Sequence, residues 1–394
     1  MPDDPSRTFR RLLFKVSAGV LLLLFCLGGT LVVYLTYERR KWDTLTDSHD
    51  LRQRALRMGE NYLTDRQKAA LVIGITQQGR QAVLGFGRVS ATNATAPRAD
   101  TLFEIGSVTK VLTATVLARL ELDGKVKLTD TLGASLLTTS TPNPALGPVT
   151  LLHLATHTSG LPRLPGNLDL SEANRANPYA KYGAADLERF LASVKPASPP
   201  GALFDYSNVG FAVLGEVLSR KAGKPYADMV TDLILRPLGM TNTAIRLTES
   251  QRARLAVGHS ARGVEETGWD FDVFAPAGAF HSSAGDLLAF LEANLESAQT
   301  PESRSLALAR QPRKVGEAGD LPLGWQREIT FQGALEIYWH NGGTGGYASF
   351  VGFNRQQRVG VVVLSNYGDA LAGKFEVDKI GMQLLKLGSK ISLE

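Results

Sequence analysis

The chain has 394 residues, 44% of them hydrophobic and 21% charged, with a formal net charge of +5. That length holds one large domain or two modest ones with ample apolar content for a core, and so mild a charge, scattered outside the N-terminus, gives no nucleic-acid footprint. The one cysteine, Cys26, lies inside an apolar run, so a disulfide framework, a zinc ligand set and a cysteine nucleophile are all excluded from the soluble part.

A short basic tail, residues 1–15, precedes an uncharged run, "VSAGVLLLLFCLGGTLVVYLTY", at residues 16–37. The run is long enough to cross a bilayer core and too long for the apolar part of a secretory signal, so it is expected to be a retained transmembrane anchor. Basic residues flank it on both sides (Arg7, Arg10, Arg11 and Lys15 before, Arg39, Arg40 and Lys41 after), and the positive-inside rule nearly ties. Residues 38–65 are charged and read as a juxtamembrane helix or stalk.

"ALVIGIT" and "QAVLGFGRV" then read as two strands joined at Gly79. A helix follows around Ser107 and ends at "LDGK", where Gly124 suits a left-handed cap. Residues from about 128 to 321 are rich in Pro and Gly, and three segments there ("AADLERFLASV", "GFAVLGEVLSRKAG" and "SAGDLLAFLEANLES") show apolar residues at helical spacing. Ser283 or its neighbour is placed to cap the last of these, with Asp286 in its first turn. Strand patterns return in "ALEIYWH", "GYASFVGFN" and "VGVVVLSN", with a turn at "NRQQ", and the chain closes on a helical segment, "KFEVDKIGMQLLKLG". Strand-rich ends bracketing a helical middle predict an α/β domain over residues 66–394, an antiparallel sheet with helices on both faces. An inserted, mostly helical domain is predicted at about 128–321.

The chemistry starts at "FEIGSVTK". Ser107 and Lys110 are one helical turn apart, on one face. A serine hydroxyl is a poor nucleophile until a base takes its proton, and a lysine amine serves only if burial or positive charge depresses its pKa from ~10.4. The pair alone is weak evidence. Two later stretches strengthen it: "FDYSNVGFAVL", with Tyr206 and Asn208 before a helix, and "YWHNGGTGGYASF", with His340 at a strand end followed by glycines.

These three elements, in this order, resemble the serine β-lactamase and penicillin-binding protein superfamily, with the class C β-lactamase-like branch and its D-Ala-D-Ala carboxypeptidases and esterases nearest. "LLHLATHTSGLP" and "RPLGMTNT" look like framework segments of that family, and the resemblance runs from about Asp65 onward. It implies that Ser107 is acylated, that Lys110 acts as base alone or with Tyr206, and that Tyr206 relays the proton to the leaving group. It implies that Asn208 contacts the substrate and holds Lys110. The backbone N–H groups of Ser107 and Gly343 would form the oxyanion hole, with His340, Gly342 and Thr344 completing the substrate-binding edge. The reaction implied is acyl transfer to water through a serine ester, without metal or organic cofactor.

The sequence departs from the class C form at His340, where that form carries lysine; a histidine there fits the peptidase-like or esterase-like members that the resemblance includes. A histidine is charged only in part near neutrality, so the turnover of carboxylate-bearing substrates is expected to fall as it deprotonates. Three activities share this signature: D-alanyl-D-alanine carboxypeptidase or β-lactamase, an esterase for short acyl esters, and a penicillin-binding sensor that deacylates slowly. The anchor would place the catalytic domain outside the cytoplasm, facing a small peptide, β-lactam or ester substrate. His153 and His157 have metal-ligand spacing but no third ligand, and read as structural; His259 and His281 read as ordinary.

Overall fold

The first hairpin shows why the apolar runs pair as they do. Strand β1 (Ala70–Gln77) is buried at every residue, whereas β2 (Arg80–Gly87) is exposed at four of eight, as a central and an edge strand require. Their two-residue connection has φ of 53° at Gln78 and 85° at Gly79, both left-handed, the backbone of a primed hairpin turn. The computed structural model describes residues 50–133, 143–171, 173–297, 299–330, 335–368 and 376–394. The expected tail (1–15) and membrane span (16–37) lie outside them.

Four late strands complete the sheet: β3 (Gln326–Ile329), β4 (Glu336–Gly343), β5 (Ala348–Asn354) and β6 (Val359–Ser365). The order is β2-β1-β6-β5-β4-β3, antiparallel throughout, so the two strand-rich ends of the chain meet where β1 pairs β6. The longer helices are α1 (Leu51–Leu63), α2 (Thr109–Leu122), α3 (Ala184–Ser193), α4 (Asn208–Ala222), α5 (Ala284–Leu295), α6 (Pro301–Arg310) and α7 (Glu376–Gly388).

Strand alternation assigns each face its cover. Gly74 and Gly360 lie beneath Leu288 and Leu291 of α5, while Gly352 and Phe350 lie against Leu385 and Gly381 of α7. Cross-strand partners share a face, so Tyr338 and His340 of β4 join the α5 side and Asn341 joins the α7 side. The antiparallel sheet with helices on both faces is therefore present.

The helical part is distributed differently from the expected insert. Helix α5 falls within residues 128–321 yet covers the sheet, and α2, which precedes them, packs with α4 and α6. The expected juxtamembrane segment is also divided. Its residues 51–63 form α1, in which Leu51, Ala55, Met58 and Tyr62 are buried, and Tyr62 Oη lies 2.8 Å from Ser365 Oγ on β6. Strand β3, at the sheet edge, carries too short and polar a pattern to be read from sequence.

Candidate active site

Ser107 sits in a 3₁₀ turn, Gly106–Val108, that leads directly into α2. The turn is pressed against the end of β4, and glycine is the residue that permits this approach. A Cβ at Gly106, whose φ is 47°, would lie 2.7 Å from Gly343 N, and one at Gly342 would lie 2.0 Å from Ile105 O. Ser349 on β5 fixes the same junction by donating its hydroxyl to Ile105 O at 2.8 Å. The Ser107 and Gly343 backbones are thereby brought side by side at the cleft.

Lys110 lies one turn into the helix and is completely buried. Its Nζ donates to Ser107 Oγ at 3.0 Å and to Ala277 O at 2.6 Å. Burial, followed by the Arg163 charge, holds the amine well below its ordinary pKa, so its neutral form is favoured. Tyr206 arrives from the loop before α4. Its ring lies 4.9 Å from Lys110 Nζ, and its phenol interacts with Ser107. Burial pushes the phenol's pKa up, which keeps it a neutral donor.

Tyr206 is seated by His157, whose ring stacks on it at 4.3 Å between centroids. His157 Nδ1 accepts the Ser207 N–H at 3.0 Å, so the proton of this imidazole is on Nε2. Burial depresses its pKa well below the usual histidine value. His153 works elsewhere, closing a capping box with Thr150 at the start of a short helix. Both histidines of the metal-like spacing therefore have structural partners.

The cleft has a volume of about 550 Å³ and is lined by Ser107, Tyr206, Asn208, Gly342 and Gly343 among others. Three expected site residues behave differently. His340 is on the correct face, with its ring 6.2 Å from that of Tyr206, but it is 1% exposed and does not line the cleft. Burial and the neighbouring Lys110 lower its pKa to about 3, so it is neutral throughout the physiological range and is not the partly charged group expected there. Thr344 is fully buried behind the glycines, turned toward the carboxyl of Glu104. Asn208 lines the cleft, but its Nδ2 donates to Tyr179 Oη at 3.3 Å; Ala277 O, rather than Asn208, holds Lys110.

Sequence reasoning missed two kinds of residue. Arg163 and Arg175 line the cleft, and among its described lining residues none is acidic. The Arg163 guanidinium carbon stands 5.0 Å from the Tyr206 ring centroid, and its backbone carbonyl accepts the Asn208 N–H at 3.1 Å. The apolar wall, formed by Trp269, Phe271 and Phe274 with Tyr179, was also unassigned. A position just after "TSGLP" was the available signal for Arg163; nothing local marked the aromatic wall.

A serine and a tyrosine that line the cleft around a buried lysine, under a glycine-rich strand edge on an antiparallel sheet with helices to either side, define a serine acyl-transfer enzyme. Residues 57–378 match the beta-lactamase family, and the chain belongs to that family. It is 30% identical over 308 residues to the D-alanyl-D-alanine-carboxypeptidase/endopeptidase AmpH of Escherichia coli K12, covering 73% of this chain and 76% of the relative. It is 24% identical to a beta-lactamase of Lysobacter lactamgenus, over 80% of this chain and 87% of that one. Among solved structures, the D-alanine carboxypeptidase AmpC of Burkholderia cenocepacia is similar with a TM-score of 0.71 and 25% identity, over 85% of this chain and 98% of that chain. A class C beta-lactamase, 18% identical, shares the fold with a TM-score of 0.72 over 84% and 94% of the two chains.

Proposed function

We propose that the chain is a serine hydrolase that removes a terminal D-alanine from carboxylate-ended peptides through an acyl-enzyme. The observation that carries this reading is the buried Lys110 amine 3.0 Å from Ser107 Oγ, its pKa held well below the ordinary value, with the Tyr206 phenol beside both. In acylation the Lys110 lone pair takes the hydroxyl proton as Ser107 Oγ bonds to the scissile carbonyl carbon. The carbonyl oxygen gains charge against the backbone N–H groups of Ser107 and Gly343. Tyr206 hands a proton to the departing amine and is reprotonated from Lys110. Water then attacks the ester by the reverse proton path, and Ser107 is released.

Substrate recognition is assigned to two groups. Asn208 Oδ1 has no protein partner and is available to accept a peptide N–H. Because His340 is buried and neutral, the substrate carboxylate falls to Arg163, with Arg175 also lining the cleft. A guanidinium binds a carboxylate through paired N–H donors, a geometry histidine lacks. The names of the AmpH and AmpC relatives support this class of substrate.

The esterase reading retains one specific support, the aromatic and aliphatic wall of Leu164, Leu170, Trp269 and Phe271, which suits an apolar acyl group. Residues 16–37 are proposed to anchor the enzyme in a membrane with its catalytic domain on the extracytoplasmic side, supported by the length of their uncharged apolar run. One side-by-side assay decides among the activities. D-Ala release from a pentapeptide, lost by roughly 10⁴- to 10⁶-fold in Ser107→Ala, is the expected outcome. Rapid nitrocefin turnover would make it a β-lactamase. Activity confined to p-nitrophenyl butyrate would make it an esterase, and a penicillin label that persists for hours without D-Ala release would make it a sensor. Undiminished turnover by Ser107→Ala would overturn the acyl-enzyme mechanism.

A further inference from the structure

A second pocket, about 660 Å³, lies at the other end of β4 from the catalytic glycines. It is bounded by the start of β4 at Glu336 and Tyr338, the β5–β6 turn at Arg355 and Gln356, the end of α5, and helix α6. From Glu336 to Gly343 the strand advances about 23 Å, so this is a separate site and not an extension of the cleft.

Arg310, the last residue of α6, lines this pocket and is 8% exposed. Its Nη1 is buried without a hydrogen-bond partner, and among the described residues no carboxylate lies within ion-pair distance of its guanidinium. A second guanidinium, Arg355, faces it. That side chain donates from Nη2 to Ser297 Oγ at 3.1 Å and leaves its buried Nε unpartnered. Two cations that should repel are thus held together with donors to spare.

The carboxylates at the rim do not relieve them. Glu336 Oε1 already accepts from Arg327 Nε at 2.6 Å and from Tyr338 Oη at 3.0 Å. Glu296 is exposed and pairs with neither arginine. The C-terminal dipole of α6 offsets part of the Arg310 charge, within its last turn only. Burial and Arg355 together depress the Arg310 pKa to about 10, the sign of a cation lacking its counterion. A buried charge is ordinarily paired, since desolvation without a partner costs several kcal/mol.

We propose that this pocket is an anion-binding site, in which Arg310 and Arg355 jointly hold a phosphate or carboxylate group of a larger, hydrogen-bonding ligand. The cavity far exceeds one phosphate. Ser297, Gln311 and Gln356 supply hydroxyl and amide groups for the body of the ligand, as a phosphorylated sugar or an acidic peptide would require. Paired guanidinium groups are the arrangement that oxyanions favour.

The test is calorimetric titration and thermal melting of the full chain in detergent, with inorganic phosphate, glucose 6-phosphate, succinate and neutral glucose as probes. Saturable binding by the phosphates or by succinate, but not by glucose, is expected, and the arm that binds more tightly identifies the charged group. Arg310→Met should weaken that binding at least about tenfold, the value of one lost charge-assisted hydrogen bond. Its melting temperature without anion should equal or exceed that of the parent, because an unpaired buried charge has been removed. Ser107→Ala should bind the anion as the parent does. Absence of saturable binding, or binding left intact in a folded Arg310→Met protein, would overturn the assignment.

Discussion

The surroundings of Lys110 favour its uncharged form, the form that the proposed mechanism needs. Burial is the larger cause and the Arg163 charge the second. Arg163→Gln removes a positive charge that faces the amine, so the Lys110 pKa must rise. The ascending limb of kcat/KM should then move to higher pH. The same substitution should raise KM for a carboxylate-ended peptide by about 10- to 100-fold while sparing a neutral ester, because a charge-assisted hydrogen bond is lost only with the former. His340→Asn, in contrast, should leave the limb in place between about pH 5.5 and 8, since a histidine with a pKa near 3 does not titrate there. A limb that followed residue 340 and ignored residue 163 would reverse this assignment. The sequence placed a basic residue at 340 beside the tyrosine. It did not reveal the burial, because a strand residue's exposure is set by what packs over that face.

Two carboxyls behind the site connect elements that are distant in the chain. Asp378 on α7 accepts from Asn341 Nδ2 at 2.7 Å, joining that helix to the reactive end of β4. Glu104, on the short strand before the Ser107 turn, accepts the Trp269 N–H at 3.1 Å, lies 3.9 Å from His281 and faces Thr344. Burial pushes both pKa values up to about 7. A raised acid binds its proton more tightly in the folded state, so the stability it contributes is complete below about pH 4, where the unfolded carboxyl is also protonated, and is lost as pH rises through about 7. The histidines at 157 and 340, whose pKa values burial depresses, act in the opposite sense, so the readout is the difference from the parent: in thermal melts from pH 4 to 8, Glu104→Gln and Asp378→Asn should each gain stability relative to the parent as pH rises. A slope unchanged in both variants would mean that these carboxyls ionise freely in the folded protein. The Glu104 position stands inside the motif that was read from sequence, yet its partners come from residues 269, 281 and 344, which no local pattern links.

At the scale of the whole molecule, residues 50–394 form one compact unit, and α1 is part of it. Asp50 caps α1 by accepting the Arg52 N–H at 2.8 Å, and Leu51 N donates to Ser392 O at 2.8 Å, close to the C-terminal end. A fragment starting at Asp50 should fold and label at Ser107 as the full chain does. A fragment starting at Asp65 should lose on the order of 5 kcal/mol, since the Leu51, Met58 and Tyr62 side chains no longer cover the sheet. Chemical denaturation of the two fragments measures the difference; equal midpoints would show that α1 is dispensable.

Local signals in the sequence determined the hairpin, the helix after Ser107, the capped ends at Gly124 and Ser283 and three of the four late strands, and motif order singled out Ser107, Lys110 and Tyr206, which the fold brings together. Period, capping and motif order need only neighbours along the chain. The tertiary structure alone decided that α5 covers the sheet, that α1 belongs to the same compact unit as the site, that His340 is buried and neutral, and that Arg163 and Arg175 line the cleft. Each of these depends on which surfaces exclude water from which groups. That exclusion sets both burial and charge state, and it exists only after segments hundreds of residues apart have packed together.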